Sequence, residues 1–277
     1  MKIAMIINTS KTNALSIAER AIAILTDRGA EILLPKRHNG LFGQTASVSE
    51  GELFGQCDVI VVVGGDGTII HTAKKAAAYE RPVLGINAGR LGFLAGLEPE
   101  ELSLLPALLT GDYTLENRMM LSVTVGGTDR YTCLNDAVIS GRLSRMIDIH
   151  AGIGEEMLSY RADGLIAATP TGSTAYSLSA GGPVIDPGLE SITLTPICPQ
   201  SLFARSVILG ADQIVRIDAD APEDADAFLT VDGEEVCPVH RGAVIEIRRA
   251  ENERVQLIKL NKGNFLSALS EKFNLLQ

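Results

Sequence analysis

The sequence predicts an α/β domain with a parallel sheet, combined with a second domain that is rich in β-strands. Three observations lead to this prediction. Through the first third of the chain, apolar runs alternate with segments of helical period. From about residue 115, short β-rich segments follow one another between turns, and the last residues return to a helical period. We assign residues 1–113 and 262–277 to the α/β domain and residues 114–261 to the β-rich domain.

The order of elements justifies the α/β domain. The predicted elements are a strand at 2–8, a helix at 13–28, strands at 31–34 and 58–63, a helix at 67–79 and a strand at 81–86. Residues 59–63 are all valine or isoleucine, which is typical of a strand buried on both faces. Strands that alternate with helices imply a parallel sheet with right-handed crossovers.

The second domain has a different pattern. Its predicted strands lie at 121–125, 137–139, 147–153, 165–168, 191–195, 214–217 and 243–248. Turns such as Asp163-Gly164 and Asp232-Gly233 separate them. We interpret the acidic stretch 218–226 as a solvated loop, and we expect a helix over 264–276 to pack back on the first domain.

Composition excludes several classes of function. The chain has 277 residues, a formal net charge of −10 and only 4% aromatic residues, so its cores must be aliphatic. An acidic chain is a poor partner for nucleic acid, because a phosphate backbone needs a basic surface. No apolar run approaches the roughly 18 residues that span a bilayer, so we expect no membrane partner.

Cysteine and histidine usage points to a reduced cytoplasmic protein without a protein-held metal. The four cysteines are scattered and form no CxxC pair. None of the four histidines has the spacing of metal ligands, and we assign no role to His38 or His71. The negative net charge of the chain does not exclude small phosphate ligands, because backbone N–H groups and a metal ion can hold them.

The first motif is Gly64-Gly65-Asp66-Gly67-Thr68, which joins the buried strand to a helix. Glycines let the backbone approach a phosphate closely and adopt positive φ, and a helix start offers unpaired N–H groups. The lysine of a Walker loop is missing, and the chain contains no GxGxxG fingerprint. The motif therefore predicts an anion site of another kind.

Asp66 is the informative residue of this turn. A carboxylate inside a phosphate-binding turn is repelled by the ligand unless it has a role of its own. It could hold Mg²⁺ or accept the proton of an attacking hydroxyl. The alternative is that Asp66 only caps the helix. The motif resembles the phosphate loop of a superfamily that includes NAD kinases and the diacylglycerol and sphingosine lipid kinases.

The second motif lies between Tyr160 and Pro183. An Asp163-Gly164 turn leads into a strand, and residues 169–174 are dense in hydroxyls and broken by proline and glycine. We expect this run to lie outside the core and to bind the edge of a base or the hydroxyls of a ribose, with Tyr176 stacking on a ring. An ordinary turn is the alternative. The run closely resembles the long signature of NAD kinases, except that Ala162 stands where the family has glycine.

Two shorter stretches extend the resemblance. Val83–Leu94 is similar to a family loop, in which Phe93 is either an apolar wall beside the ligand or ordinary core. Asn135 and Asp136 fall where the family carries an amide and an acid, usually Glu, that hydrogen-bond nucleotide groups. Asp232 also matches a family turn, with a plain hairpin turn as the alternative.

The resemblance to NAD kinases, a branch of the diacylglycerol kinase and phosphofructokinase-like superfamily, implies a function and a set of roles. Asp66 orients the 2′-hydroxyl of the adenosine ribose and takes its proton, while Gly64, Gly65, Gly67 and Thr68 hold the donor's phosphates with Mg²⁺ or another divalent cation. The residues implied to bind NAD are Phe93, Asn135, Asp136, Arg161, Asp163, Thr174, Ala175, Tyr176 and Ser179. ATP and NAD are the implied substrates of a cytoplasmic homo-oligomer, a dimer or tetramer with a shared site.

Two rival functions remain at this point. A lipid kinase of the same superfamily would leave the hydroxyl-rich run at 169–176 unexplained. A non-enzymatic sensor on the same scaffold would bind NAD or NADP without forming NADP. Many members of the family carry proline where this chain has Ser206, and this departure and the one at Asp136 keep that alternative open.

Overall fold

The computed structural model describes residues 1–43, 45–89, 92–142, 145–220, 227–260 and 265–274. The chain divides into two compact units, the first made of Met1–Asn117 and Arg254–Gln277 and the second of Arg118–Glu253. Within the described ranges, no helix is long and apolar enough to cross a membrane.

Helices and strands alternate through the first unit, whereas strands dominate the second. The helices are α1 (Ala14–Thr26), α2 (Glu50–Gln56), α3 (Asp66–Ala77), α4 (Ala107–Thr110), α5 (Tyr176–Ser179) and α6 (Phe265–Asn274). The strands are β1 (Lys2–Ile7), β2 (Glu31–Pro35), β3 (Ala46–Val48), β4 (Val59–Gly64), β5 (Val83–Asn87), β6 (Thr114–Val125), β7 (Asp129–Cys133), β8 (Asp136–Gly141), β9 (Ile147–Ile153), β10 (Glu156–Ala162), β11 (Gly164–Ala168), β12 (Ser191–Ile197), β13 (Val207–Gly210), β14 (Val215–Asp220), β15 (Ala227–Val231), β16 (Glu234–Val239) and β17 (Ile245–Lys259). Short 3-10 helices lie at Lys36–His38, Pro99–Leu104 and Thr171–Thr174.

The first unit is built on a parallel sheet with the strand order β5–β4–β1–β2–β3. The chain leaves β1 for β2 on one side and later enters β4 on the other side, so the strand order reverses between β1 and β4. In open α/β sheets, ligands bind at such a switch point, outside the carboxyl ends of the strands. The sheet therefore places a candidate site after Ile7 and Gly64.

Burial explains why these segments form strands and helices. Every residue of β4 is buried, as is every residue of β1 after Lys2. Helix α1 turns Ile17, Ala21 and Leu25 toward the same core at helical spacing. The core of this unit is aliphatic, as the low aromatic content predicts.

The second unit consists of antiparallel strands in two sheets that share one apolar core. One sheet has the order β10–β9–β14–β17, where β17 takes part through Ile245–Ile247, and the other has the order β13–β12–β11–β8–β15–β16. Strands β6 and β7 pair with each other. In β14, Val215, Ile217 and Ala219 are buried while the residues between them are exposed, the alternation of a half-buried strand.

The structure corrects the sequence prediction at several elements. It adds α2, α4, β3, β7, β10, β13, β15 and β16, which were not predicted. In β10 the only buried residue is Ala162, so its sequence shows little of the apolar pattern that predicts a strand. Asp218 to Asp220 belong to β14, which makes the loop prediction wrong there, and residues 221–226 lie outside the described residues. The predicted C-terminal helix is described only over Phe265–Asn274, so Asn264 and residues 275–276 also fall outside.

Candidate active site

A glycine-rich turn occupies the switch point of the first unit. Strand β4 ends at Gly64, α3 begins at Asp66, and Gly65 caps the helix between them. Just after β1, Asn8 donates its side-chain amide to Oγ1 of Thr68 at 2.9 Å, which ties the turn to the neighbouring strand. The start of a helix carries unpaired N–H groups and a partial positive charge, so the turn suits an anion.

Lack of space explains only the first glycine of this turn, and unusual backbone angles explain none of the three. None of Gly64, Gly65 and Gly67 has a φ in the left-handed region, so the turn does not need the positive φ that glycine permits. A Cβ on Gly64 would lie 2.9 Å from the Cβ of Thr68. A Cβ on Gly65 or Gly67 would meet nothing within 4 Å, so open space lies beside both residues.

The carboxylate of Asp66 is held by a second loop of the same unit. The backbone N–H of Phe93 donates to Oδ2 at 3.0 Å, and the N–H of Leu94 donates to Oδ1 at 3.3 Å. Gly65, not Asp66, is the N-cap residue of α3, and among the described residues no hydrogen bond joins the Asp66 side chain to its own helix, so Asp66 is not a simple helix cap. A Cβ on Gly92 would overlap the Asp66 carboxyl group, which explains the glycine at that position.

Phe93 packs against the C-terminal helix. Its ring centroid lies 6.2 Å from that of Phe265, and Nζ of Lys272 lies 3.9 Å from the Phe93 ring centroid. Both partners belong to α6, which therefore covers the loop that holds Asp66. Half-buried Phe93 has a packing role here, and its role beside a ligand stays a prediction.

In the second unit, a cavity of about 340 Å³ opens on one face of β8, and we call it the β8 pocket. Its lining residues are Asn135, Asp136, Val138, Ser140, Ala175, Tyr176, Thr230, Asp232 and Gly233. The volume lies in the range of small-molecule sites. The structure thus brings together four residues that the sequence singled out for NAD, namely Asn135, Asp136, Ala175 and Tyr176.

Asp136 is the unusual group of the β8 pocket. It is only 4% exposed, and its carboxylate accepts no hydrogen bond from any of the described residues. Burial, and then the neighbouring charge of Asp232, raise the pKa of Asp136 to about 7. A buried carboxylate without a donor is suited to accept hydrogen bonds from the hydroxyls of a ligand.

Asp232 is a residue whose importance sequence reasoning underrated. Its carboxylate accepts the backbone N–H groups of Leu134, Asn135 and Asp136 at 3.0, 2.7 and 3.2 Å. Its own φ is 48°, in the left-handed region that Asp tolerates better than most residues. The Asp-Gly pair was the available signal, but a pair of turn residues does not reveal which distant segment its carboxylate anchors.

The hydroxyl-rich run 169–174 is buried, and the expectation that it lies outside the core is wrong. Thr169 and Ser173 are fully buried. Thr169 donates its hydroxyl to the Leu134 carbonyl at 2.5 Å, and Ser173 accepts the N–H of Ile185 at 3.0 Å. These two hydroxyls bond backbone groups of neighbouring segments, so they hold the run in place beside the β8 pocket.

Four other predicted residues lie away from the β8 pocket as the described residues define it. Arg161 is exposed and pairs with Asp148 at 3.5 Å, while Asp163 precedes β11 and is half-buried. Thr174 ends a 3-10 helix, and Ser179 is exposed at the end of α5. Their roles stay predictions. The Ala162 departure causes no strain, because its backbone is not left-handed.

The comparisons with known proteins cover both units. Residues 3–113 match the model of the ATP-NAD kinase N-terminal domain, and residues 134–260 match that of the ATP-NAD kinase C-terminal domain. The NAD kinase of Symbiobacterium thermophilum is 41% identical over 281 aligned positions, which cover 99% of each chain. The NAD kinase of Natranaerobius thermophilus is 38% identical and covers 98% of this chain and 96% of its own.

Solved structures show the same similarity. A yeast NADH kinase complexed with NADH superposes with a TM-score of 0.88, covering 99% of this chain and 87% of that one; at 23% identity it bears on the fold alone. An NAD kinase from Archaeoglobus fulgidus in complex with ATP has a TM-score of 0.75 and 27% identity, and 98% of each chain is covered.

Proposed function

The chain belongs to the ATP-NAD kinase family, and we propose that it transfers the γ-phosphate of ATP, or of another phosphate donor, to the 2′-hydroxyl of the adenosine ribose of NAD, giving NADP. The match of residues 134–260 to the family's C-terminal domain favours NAD over a lipid as the acceptor. The observation that carries the catalytic assignment is the Asp66 carboxylate, held by two backbone N–H groups beside an open glycine turn.

The glycine turn binds the phosphates of the donor. The open space beside Gly65 and Gly67 admits a phosphate group, and the start of α3 supplies N–H donors and a partial positive charge. Thr68, held by Asn8, adds a hydroxyl to the same turn.

The divalent cation, Mg²⁺, arrives with the donor. Among the described residues, no group of three or more His, Cys, Asp or Glu side chains is placed to hold a metal. A cation bound by the donor's phosphates would neutralise part of their charge. Asp66 is the one carboxylate of the turn that could add a ligand.

The β8 pocket holds the adenosine part of NAD. Asn135 offers a donor and an acceptor to a base or ribose, and Asp136 accepts hydroxyl protons. Tyr176 is 47% exposed at the pocket wall, where its ring can stack on a base. Phe93, Arg161, Asp163, Thr174 and Ser179 are further proposed contacts to NAD, some of them to a molecule bound by a second copy of the chain.

Asp66 orients the attacking hydroxyl and accepts its proton. Both carboxylate oxygens already have a backbone donor, which fixes their direction and leaves their remaining lone pairs for the hydroxyl. In a loose phosphoryl-transfer transition state the proton leaves late, so position matters more than basicity.

We also propose a homo-oligomer, either a dimer or a tetramer, in the cytoplasm. Leu202 and Phe203 are 86% and 90% exposed on one loop, and burial of such side chains against a second copy would be favourable. The four cysteines are free thiols, which fits a reducing compartment.

The Asp66→Asn variant tests the catalytic assignment. Asparagine has about the same size as aspartate and keeps one acceptor oxygen, but it carries no charge and cannot take a proton. We expect turnover to fall by at least about 100-fold while the dissociation constant for NAD changes by less than about threefold. Asp58→Asn, at the exposed opposite end of β4, is the matched control. Unchanged turnover in Asp66→Asn would refute the role.

A further inference from the structure

The loop that holds the Asp66 carboxylate joins β5 to the 3-10 helix Pro99–Leu104. Its described residues are 88, 89 and 92–98. It carries the backbone N–H groups of Phe93 and Leu94, which donate to the two oxygens of Asp66. The position of these two donors, and with it the direction of the carboxylate, therefore depends on what holds the loop.

Asn87 holds both ends of this loop. It is the last residue of β5, and it is only 3% exposed. At the start of the loop, its Oδ1 accepts the N–H of Gly89 at 2.9 Å. At the end of the loop, its Nδ2 donates to the two carboxylate oxygens of Glu98 at 2.9 and 3.2 Å. The two ends need an acceptor and a donor on one short side chain, and an amide supplies both.

The backbone around Asn87 also joins the loop to the glycine turn. Asn87 lies opposite Gly64 in the parallel pairing of β4 and β5. The N–H of Ala88 donates to the Gly64 carbonyl at 3.0 Å, and the N–H of Asn87 donates to the Leu97 carbonyl at 2.9 Å. Asn87 therefore lies at the point where the loop and the glycine turn meet.

Glu98 is a fixed partner for the Asn87 amide. Its side chain accepts the backbone N–H of Glu101, and its own N–H donates to the Glu101 carboxylate at 2.9 Å, which makes a capping box at the start of the 3-10 helix. Burial raises the pKa of Glu98, and the hydrogen bonds from Asn87 oppose that rise. The amide of Asn87 thus stabilises the charged form of a partly buried carboxylate.

We propose that Asn87 is a positioning residue for the phosphoryl transfer, because it fixes the loop whose N–H groups direct the Asp66 carboxylate. This inference rests on the proposed function, in which Asp66 orients the attacking hydroxyl. Asn87 acts through Gly89 and Glu98 and needs no contact with NAD or with the donor. Its loss should therefore lower kcat and leave the KM for NAD nearly unchanged, since the β8 pocket is formed by residues of the second unit.

The Asn87→Asp variant tests the proposal with little change in size. Aspartate still accepts the Gly89 N–H, but it places a second carboxylate against that of Glu98. We expect kcat to fall about 10- to 100-fold, because a misplacement of about 1 Å can have an effect of this size, while the KM for NAD changes by less than about threefold. Asn252→Asp, at an exposed position of β17, is the matched control and should change neither value.

A compensating substitution separates positioning from general damage. When Asn87→Asp is combined with Glu98→Gln, the glutamine amide can donate to the aspartate while its oxygen still accepts the Glu101 N–H. We expect kcat of this double variant to exceed that of Asn87→Asp by at least about threefold. Glu98→Ala covers the case in which Asn87→Asp fails to fold, and it should lower kcat in the same way. No recovery in the folded double variant, or a wild-type kcat in the folded single variants, would overturn the inference.

Exchange of the Phe93 and Leu94 amide hydrogens, followed by NMR, gives a readout that does not need activity. Both amides should exchange at least about tenfold faster in Asn87→Asp than in the wild type, because their hydrogen bonds to Asp66 open more often. Unchanged exchange would contradict the proposed role of Asn87. If the wild type formed no NADP while both amides lost protection in the variant, the proposed function would fail and the positioning of Asp66 by Asn87 would stand.

Discussion

Two aspartates of this chain have opposite surroundings, and the difference fits two different roles. Asp66 is half-buried, and each of its oxygens accepts a backbone N–H, so the position of its carboxylate is fixed. Asp136 is buried without a donor among the described residues, next to the negative Asp232. The first arrangement suits a group that must be charged and aligned, and the second suits one that awaits hydrogen bonds from a ligand.

The Asp136→Asn variant should change how stability depends on pH. The folded-state pKa of about 7 lies above the ordinary 3.8, so the folded protein holds a proton that the unfolded chain has lost. The stability contributed by that proton is complete below about pH 4 and is lost as the pH rises through 7. Between about pH 5 and about pH 8, the ligand-free wild type should therefore lose roughly 2–3 kcal/mol that Asp136→Asn keeps.

Urea unfolding of both proteins at several pH values measures this difference. Asp27→Asn, an exposed carboxylate at the end of α1, is the control and should follow the wild type. Parallel pH profiles for wild type and Asp136→Asn would show that Asp136 is not buried as described.

At the residue scale, sequence reasoning proposed residues for the chemistry but did not find the residues that hold them in place. It singled out Asp66, Asn135 and Tyr176 because motifs bring chemically suited residue types together. It underrated Asp232, because the role of that residue depends on backbone N–H groups about 100 positions away in sequence. A hydrogen bond to a distant backbone leaves no trace in local pattern.

At the element scale, the run 169–174 supports the wall of the β8 pocket. The N–H of Thr169 donates to the Asn135 carbonyl at 2.8 Å, and Asp232 holds the Asn135 N–H from the other side. Gly172 lies directly against the same backbone, where a Cβ would overlap the Asn135 carbonyl oxygen. The position of Asn135 is thus set by two segments that meet only in the folded unit.

The Gly172→Ala variant tests this support. Because its Cβ meets backbone atoms that cannot rotate away, Asn135 must shift. We expect a loss of about 1–3 kcal/mol in the free energy of unfolding and a rise of about tenfold or more in the KM for NAD. Urea unfolding and steady-state kinetics measure the two effects.

Gly51→Ala is the matched control for Gly172→Ala. Its Cβ meets nothing within 4 Å in the first turn of α2, so it should leave the KM for NAD unchanged and add about 0.4–1 kcal/mol of stability. A normal KM for NAD in Gly172→Ala would show that the run does not position Asn135.

Prediction of the elements succeeded where one burial pattern dominates. Strands β4 and β9 carry long apolar or alternating runs, and their predicted bounds agree with the structure to within a residue. In strands β10 and β16 only the last residue is buried, so pairing with neighbours, rather than their own apolar content, holds them in the sheets.

At the scale of the whole molecule, each unit carries one of the proposed sites, and each site is formed where separate segments meet. The first unit has the glycine turn at Gly64–Thr68, and the second has the β8 pocket. The acidic net charge of −10 is compatible with the proposed phosphate site, because backbone N–H groups at a helix start can hold phosphates without a basic surface.

The most direct test of the central claim is the formation of NADP by the purified protein. NAD, ATP and Mg²⁺ are incubated with the protein, and the product is detected with a dehydrogenase that accepts only NADP. We expect NADP to accumulate with turnover and to stop forming when EDTA removes the cation. If no NADP formed with ATP or polyphosphate at any protein concentration, while NAD still bound, the chain would be a sensor and the kinase account would be wrong.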